Sequence, residues 1–116
     1  MSDAIKLAKH YFDLSNKGNL EEIKKLFTPS STYSSVNTGL YLGVDQIVKM
    51  QTDFFADYEV LSWTIESIEE LRPGIVLIDF SFSGRTQNGE TVFRTGLEYV
   101  VVFDGKLQHV EVRKKD

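Results

Sequence analysis

Three short turn sequences in the second half of the chain constrain its fold more than any other feature. Arg72-Pro73-Gly74, Asn88-Gly89 and Asp104-Gly105 separate four runs rich in β-branched and aromatic residues. Asn-Gly and Asp-Gly between such runs are the strongest short-range signals for a β-hairpin. Consecutive hairpins form an antiparallel meander, so the sequence predicts strands at 60–71, 75–86, 91–103 and 106–114.

The first 57 residues show helical periodicity instead. Apolar residues from Ala4 to Phe12 recur every three or four positions, which is typical of an amphipathic helix, and Gly18 is suited to end it. A short second helix is predicted after Asn19, and a third from Gly43 to about Asp57. Residues 30–42 lack this periodicity and predict one short strand near 32–36, followed by a loop. The whole chain, 1–116, is predicted to be a single α+β domain.

Alternation along the predicted strands assigns side chains to two faces of the sheet. We expect the face toward the helices to be apolar and aromatic, with Trp63, Phe80, Phe82, Leu97, Tyr99, Val110 and Val112 on it. On this interpretation Glu98, Val100 and Val102 point outward. His109, Glu111 and Arg113 then form a polar row on the outer face of the last strand.

Composition excludes several kinds of site. The chain has no Cys and only two His, so a thiol nucleophile or a cysteine-bound metal is excluded, and no metal or other cofactor is expected. The net charge of −4 argues against nucleic acid as the main partner. The N-terminus carries no signal-peptide pattern and the longest apolar runs are far too short for a membrane span, so we expect a cytoplasmic protein.

Several short motifs extend over nearly the whole chain. They are Tyr11-Phe12 ahead of Asn16-Lys17-Gly18-Asn19-Leu20, then Thr32-Tyr33, Gly43-Val44-Asp45-Gln46-Ile47 and Phe103-Asp104-Gly105-Lys106-Leu107. In this order of elements they resemble the nuclear transport factor 2-like (NTF2-like) superfamily, particularly its branch of ketosteroid isomerases and SnoaL-like polyketide cyclases. The resemblance implies a cone-shaped, cystatin-like fold with three helices on a curved sheet, and a homodimer through the convex face.

The same resemblance implies roles for individual residues. Tyr11 matches the tyrosine that donates to the oxyanion in the isomerases, and Tyr99 falls where a second donor, an aspartic acid, is expected. Gln51 replaces the third-helix tyrosine that hydrogen-bonds the first. Ser35 stands in place of the aspartate base, and a hydroxyl cannot take a proton from carbon without a base of its own. The isomerase mechanism is therefore not expected to operate unchanged.

The expected site is a hydrophobic, aromatic-lined pocket. Its candidate catalytic residues are Tyr11 and Tyr99, although a core role for Tyr11 is an equally good interpretation. The candidate ligand-binding residues are Tyr33, Ser35, Met50, Gln51, Phe54, Trp63, Phe80, Phe82, Leu97, Val110 and Val112. Asp53 and Asp57 on the third helix are the candidates for a displaced base, and solvated positions are the simpler interpretation for both.

Two functions remain open on the sequence. The first is a SnoaL-like protein that binds a hydrophobic, carbonyl-bearing small molecule, with isomerase, cyclase or dehydratase chemistry. The alternative is a non-catalytic ligand-binding or interaction domain. It would act through its outer sheet face, using the row of His109, Glu111 and Arg113 beside Val100 and Val102.

Overall fold

Three helices and a six-stranded sheet make up residues 2–115, the part of the chain that the computed structural model describes. The elements are α1 Asp3–Lys17, α2 Leu20–Lys24, β1 Thr32–Ser35, β2 Gly39–Leu42, α3 Val44–Ala56, β3 Tyr58–Arg72, β4 Ile75–Thr86, β5 Thr91–Phe103 and β6 Lys106–Lys114. The α+β class and the four-stranded meander at the C-terminal end are confirmed.

Local hydrogen bonds fix the ends of the first two helices. The Ser2 hydroxyl accepts from the backbone N–H of Ile5 at 3.1 Å, and Gly18 ends α1 in the left-handed region at φ 64°. The Asn19 side chain accepts from the Glu22 N–H at 3.2 Å and begins α2. Gly18 and Asn19 lie where the sequence predicts the end of α1 and the start of α2.

The strand order is β2-β1-β6-β5-β4-β3, and every pair is antiparallel except β1 and β6. A turn follows β1 near the expected loop at 37–39, but the structure adds a strand that the sequence does not predict, because Gly39–Leu42 forms β2 on β1. Backbone pairing forms this edge strand while Leu40 and Leu42 stay exposed, so it leaves no burial pattern in the sequence. Three register shifts along the β3–β4 pair mark the irregularities that bend a sheet.

The core lies between the helices and the concave face of the sheet. Ala8 of α1 and Ile47 of α3 are fully buried against it, as are Ile78, Val100 and Val110 from three neighbouring strands. The predicted inward positions of β4 and β6 are therefore correct.

The predicted faces of β5 are wrong. Gly96, Glu98 and Val100 are buried and pair with the inward residues Phe80, Ile78 and Val76 of β4. Leu97 and Tyr99 lie on the outer face, and Val100, expected to be exposed, is 0% exposed. Both alternating sets of β5 contain apolar residues, so alternation alone cannot assign the faces.

One side-chain clamp fixes α1 against β3. The Asn16 side chain accepts from the backbone N–H of Trp63 at 2.7 Å and donates to its carbonyl oxygen at 2.9 Å. This satisfies a backbone donor and acceptor of β3 and holds Trp63 in place beside the helices.

Candidate functional site

A cavity of about 380 Å³ opens between the helices and the concave face of the sheet. This volume falls within the range of small-molecule sites. Phe54, Trp63 and Phe82 form one aromatic wall, with ring centroids 5.0 to 6.0 Å apart. Phe80 lines the same cavity. All four residues were predicted for the pocket, and the structure brings them together.

The structure places five further predicted residues along this cavity. Tyr33 and Ser35 come from β1, Met50 and Gln51 from α3, and Val112 from β6. Val110, also predicted for the lining, is fully buried in the core and lies outside the cavity.

Two predicted site residues belong to the opposite face of the sheet. Leu97 and Tyr99 do not line the cavity, and the Arg113 guanidinium lies 5.4 Å from the centre of the Tyr99 ring. Tyr99 therefore cannot serve as the second oxyanion donor, which corrects the prediction based on the resemblance. The error follows from the inverted faces of β5.

Tyr11 occupies the polar end of the cavity, at 4% exposure. Its hydroxyl oxygen accepts a hydrogen bond from Gln51 Nε2 at 2.9 Å, and its phenolic proton is available to donate, with the neighbouring Tyr33 as a hydrogen-bond partner. Burial raises the pKa of Tyr11 well above its ordinary value, and a nearby Tyr33 phenol and Glu98 carboxyl raise it further. The Tyr11 phenol therefore stays protonated and is a hydrogen-bond donor at any working pH.

Glu98 is the functional residue that sequence reasoning missed. It lies on the concave face of β5 at 5% exposure and lines the cavity. Within residues 2–115 no hydrogen bond or ion pair reaches its carboxyl group, and desolvation raises its pKa to about 8. When ionised, Glu98 raises the pKa of both Tyr11 and Tyr33, so the three groups form one electrostatic cluster, here termed the polar cluster.

A glycine two positions earlier is the signal that could have found Glu98. A Cβ atom on Gly96 would meet Phe80 Cζ at 2.8 Å and the Arg113 carbonyl oxygen at 3.0 Å. A glycine in the middle of a strand indicates such close approach. Since Phe80 faces inward, Gly96 faces inward too, and the period of two then places Glu98 on the concave face.

The other candidate proton acceptors are not in the polar cluster. The Ser35 hydroxyl oxygen accepts from the Asn37 N–H at 3.1 Å, and within the described chain no carboxyl or imidazole group bonds to it. Asp53 and Asp57 line a separate open depression beside α3, where Asp53 pairs with Lys49 at 3.1 Å. Glu98 therefore carries the only carboxyl group among the cavity-lining residues of 2–115.

The polar row on β6 faces outward, as the sequence predicts. His109 Nε2 lies 3.3 Å from Glu111 Oε1, and Arg113 Nε donates to Glu111 Oε2 at 2.6 Å. The hydrogen bonds from Arg113 and then His109 lower the pKa of Glu111 below its ordinary value. His109 and Arg113 both pair with Glu111, and only Arg113 of the three also lines the cavity.

Residues 2–115 contain neither a cluster of metal ligands nor a membrane-spanning helix. No group of three or more His, Asp or Glu side chains in 2–115 is arranged to hold a metal ion. Over the same residues, every helix is too short or too polar to cross a bilayer.

Comparison with known proteins places this geometry in context. A protein-family model described as a SnoaL-like domain matches residues 8–110. A search of curated protein sequences finds no match. Among solved structures, TerC co-crystallised with polyporic acid is 14% identical, with 98% of this chain and 92% of that chain covered and a TM-score of 0.84.

Two more solved structures share the fold. An NTF2-like protein of unknown function from Exiguobacterium sp. 255-15 is 16% identical, covering 94% of this chain and 98% of that one, with a TM-score of 0.82. A putative SnoaL-like polyketide cyclase from Shewanella putrefaciens CN-32 is 12% identical, covering 97% and 90%, with a TM-score of 0.84. At these identities the likeness shows the fold, and the predicted cone-shaped fold is confirmed.

Proposed function

The chain belongs to the family of SnoaL-like domains, and we propose that it is an enzyme that moves a proton on a hydrophobic, carbonyl-bearing small molecule bound in the cavity. The observation that carries this proposal is the pairing of a buried carboxyl group with a protonated phenol at the polar end of an aromatic cavity. Titratable groups with strongly raised pKa values in a cleft are the pattern expected of an acid–base site.

Tyr11 supplies the hydrogen bond to the developing oxyanion. Because Gln51 donates to the phenolic oxygen, the Tyr11 O–H acts as a donor, to the neighbouring Tyr33 or to another acceptor in the cavity, and its raised pKa keeps the proton in place. A carbonyl oxygen that becomes an enolate during the reaction is such an acceptor. A preorganised donor in a cavity that excludes water favours the charged oxygen over the neutral carbonyl.

Glu98 accepts the proton from the carbon next to that carbonyl. With a pKa of about 8, roughly a tenth of the carboxyl groups are ionised at pH 7, and the fraction grows with pH. A base with a pKa this close to neutrality combines a useful ionised fraction with enough basicity for proton abstraction. Glu98 thereby takes the part that Ser35 cannot perform.

The fate of the enolate decides the reaction class. When a C=C bond is conjugated with the enolate, return of the proton from Glu98 to the far end of that system gives isomerisation. Attack of the enolate carbon on another carbonyl of the same ligand gives cyclisation, and the alkoxide that forms takes the proton back from Glu98. The aromatic wall of Phe54, Trp63 and Phe82 suits a ligand with a flat apolar body. Polyporic acid, with which TerC was co-crystallised, is one ligand to try for binding.

Proton exchange on a simple ketone tests this proposal. We expect the protein to accelerate loss of the α-hydrogen signals of 2-tetralone in D₂O, followed by proton NMR, with a rate that rises up to about pH 8. Glu98→Gln should lower the enzyme-dependent rate by at least about 100-fold and Tyr11→Phe by about 10- to 100-fold. Glu69→Gln, at an exposed position of β3, is the matched control and should leave the rate unchanged. Equal rates for Glu98→Gln and the unaltered protein would contradict the assignment.

A second proposal concerns the outer face of the sheet, on which Leu97, Tyr99 and Val101 remain partly exposed and Phe103 is 70% exposed. We propose that this face joins two copies of the chain, because an apolar patch on an open sheet favours association. Sedimentation velocity should then give a dimer of about 26 kDa that Tyr99→Glu dissociates. A monomer at 100 μM would refute this proposal and leave the proton-transfer site untouched.

A further inference from the structure

Two cationic side chains mark the mouth of the cavity on its sheet side. Arg94 of β5 pairs with Phe82 of β4, and Lys114 of β6 pairs with Gly96 of β5. Residues at even positions of both strands face the concave side, as Glu98 and Val112 do, so Arg94 and Lys114 belong to that face as well. Both line the cavity, and together they are termed the cationic rim.

The cationic rim has no acidic partner within residues 2–115. Neither Arg94 nor Lys114 takes part in a salt bridge or side-chain hydrogen bond of the described chain. Two neighbouring cations also line the cavity but are paired with carboxylates, since Arg113 pairs with Glu111 at 2.6 Å and Lys115 with Asp79 at 2.7 Å.

The positive charge at the mouth of the cavity is opposite in sign to the net charge of the protein. The chain carries a net charge of −4, yet the cavity lining within residues 2–115 includes four cations, two of them unpaired, and a single carboxyl group. That carboxyl, Glu98, lies deep in the cavity and is largely protonated at neutral pH. An acidic protein with a locally positive cavity mouth attracts an anion to that place.

We propose that the natural ligand is an amphipathic anion, whose aromatic body fills the cavity and whose anionic group binds the cationic rim. This inference rests on the proposed function, namely that the cavity binds a small molecule, and it adds the charge of that molecule. A guanidinium and an ammonium group side by side suit a carboxylate or another oxyanion.

Strand geometry gives the spacing that such a ligand needs. The register places Lys114 two residue positions from Glu98 along the strands, and Arg94 lies four positions from it. With a rise of about 3.3 Å per residue, the rim lies about 7 to 13 Å from the polar cluster. The anionic group of the ligand therefore stands that far from its reacting carbonyl.

A matched pair of fluorescent probes tests the inference. 1-Anilinonaphthalene-8-sulfonate carries a sulfonate, and N-phenyl-1-naphthylamine has the same aromatic frame without it. At low salt we expect the sulfonate probe to bind about five- to tenfold more tightly than the neutral probe, and the neutral probe to displace it. The double variant Arg94→Gln/Lys114→Gln should remove this advantage and leave the affinity of the neutral probe within twofold.

The control variant removes the same charge elsewhere. Lys9→Gln/Lys24→Gln alters two exposed helix positions that do not line the cavity and should leave both affinities unchanged. Three results would overturn the inference of an anionic ligand and leave the proposed function standing. They are equal binding of the two probes, no effect of the rim variant, and failure of the neutral probe to displace the anionic one. Binding of neither probe would instead overturn the proposed function, because the cavity would then take no aromatic molecule.

Discussion

Replacing Glu98 by Gln should stabilise the protein, and the gain should grow with pH. The side chains have the same shape, but Gln cannot ionise. In the unfolded chain the carboxyl group has its ordinary pKa of 4.5, whereas burial raises the pKa in the folded protein to about 8. The folded state therefore holds the proton more tightly, and its stability falls as pH rises between these two values.

The magnitude follows from the gap between the two pKa values. Below pH 4.5 the carboxyl is protonated in both states, and ionisation contributes nothing. At about 1.4 kcal/mol for each pH unit, the penalty removed by the substitution is about 1 kcal/mol at pH 5, about 3 kcal/mol at pH 7 and about 4 to 5 kcal/mol at pH 8.5. Above pH 8 the penalty levels off at about 5 kcal/mol, because the carboxyl group is then ionised in both states.

Urea denaturation at these three pH values measures the effect. The free energy of unfolding is compared between Glu98→Gln and the unaltered protein, so the titration of every other group cancels. Glu69→Gln, an exposed carboxyl on β3, serves as the control and should differ from the unaltered protein by less than about 0.5 kcal/mol at each pH. A difference for Glu98→Gln that stays constant from pH 5 to 8.5 would refute the reasoning.

Three further substitutions test the contacts that hold the site in place, each by urea denaturation at pH 7. Tyr11→Phe removes the acceptor for Gln51 Nε2 and should cost about 1 to 2 kcal/mol, and no loss would show that this buried hydrogen bond is absent. Gly96→Ala drives a Cβ to within 2.8 Å of Phe80 Cζ and should cost about 1 to 3 kcal/mol, whereas a neutral effect would contradict the close approach. Asn16→Ala breaks the clamp of α1 on β3 and should cost about 1 to 2 kcal/mol, whereas unchanged stability would mean that water replaces the clamp without cost.

Much of the fold could be predicted because local signals agree with one another. The exit at Gly18 and the turns Asn88-Gly89 and Asp104-Gly105 each specify one backbone conformation. Strand β2 gives no such signal, since Leu40 and Leu42 are exposed and only Tyr41 is partly buried.

The site was predicted less well than the fold, and β5 explains why. Its two alternating sets both contain apolar residues, so alternation alone does not assign the faces, and the resemblance favours an inward Tyr99. A buried, unpaired carboxyl is costly, and sequence reasoning rightly treats it as rare. The Glu98 carboxyl lies at the polar end of a cavity. Functional sites are the places where proteins tolerate such an energetic cost.

The cavity wall from α3 and β4 was easier to predict. Phe54, Phe80 and Phe82 follow helical or strand periodicity without ambiguity, and the resemblance placed Tyr11 and Gln51 on facing helices. The structure adds a hydrogen bond of 2.9 Å between those two side chains. Periodicity gives the direction of a side chain, whereas the pairing of two polar groups depends on how the helices pack.

The ionisation of Glu98 is the central claim, and carbon-13 NMR of protein labelled at the glutamate carboxyl carbon measures it directly. One carboxyl resonance, absent from Glu98→Gln, should titrate with a midpoint at about pH 8. The same resonance should shift when an aromatic ketone such as 2-tetralone fills the cavity. A midpoint near 4.5 for the Glu98 resonance would show that the carboxyl is ionised and solvated at neutral pH, and would contradict its assignment as the proton-transfer group.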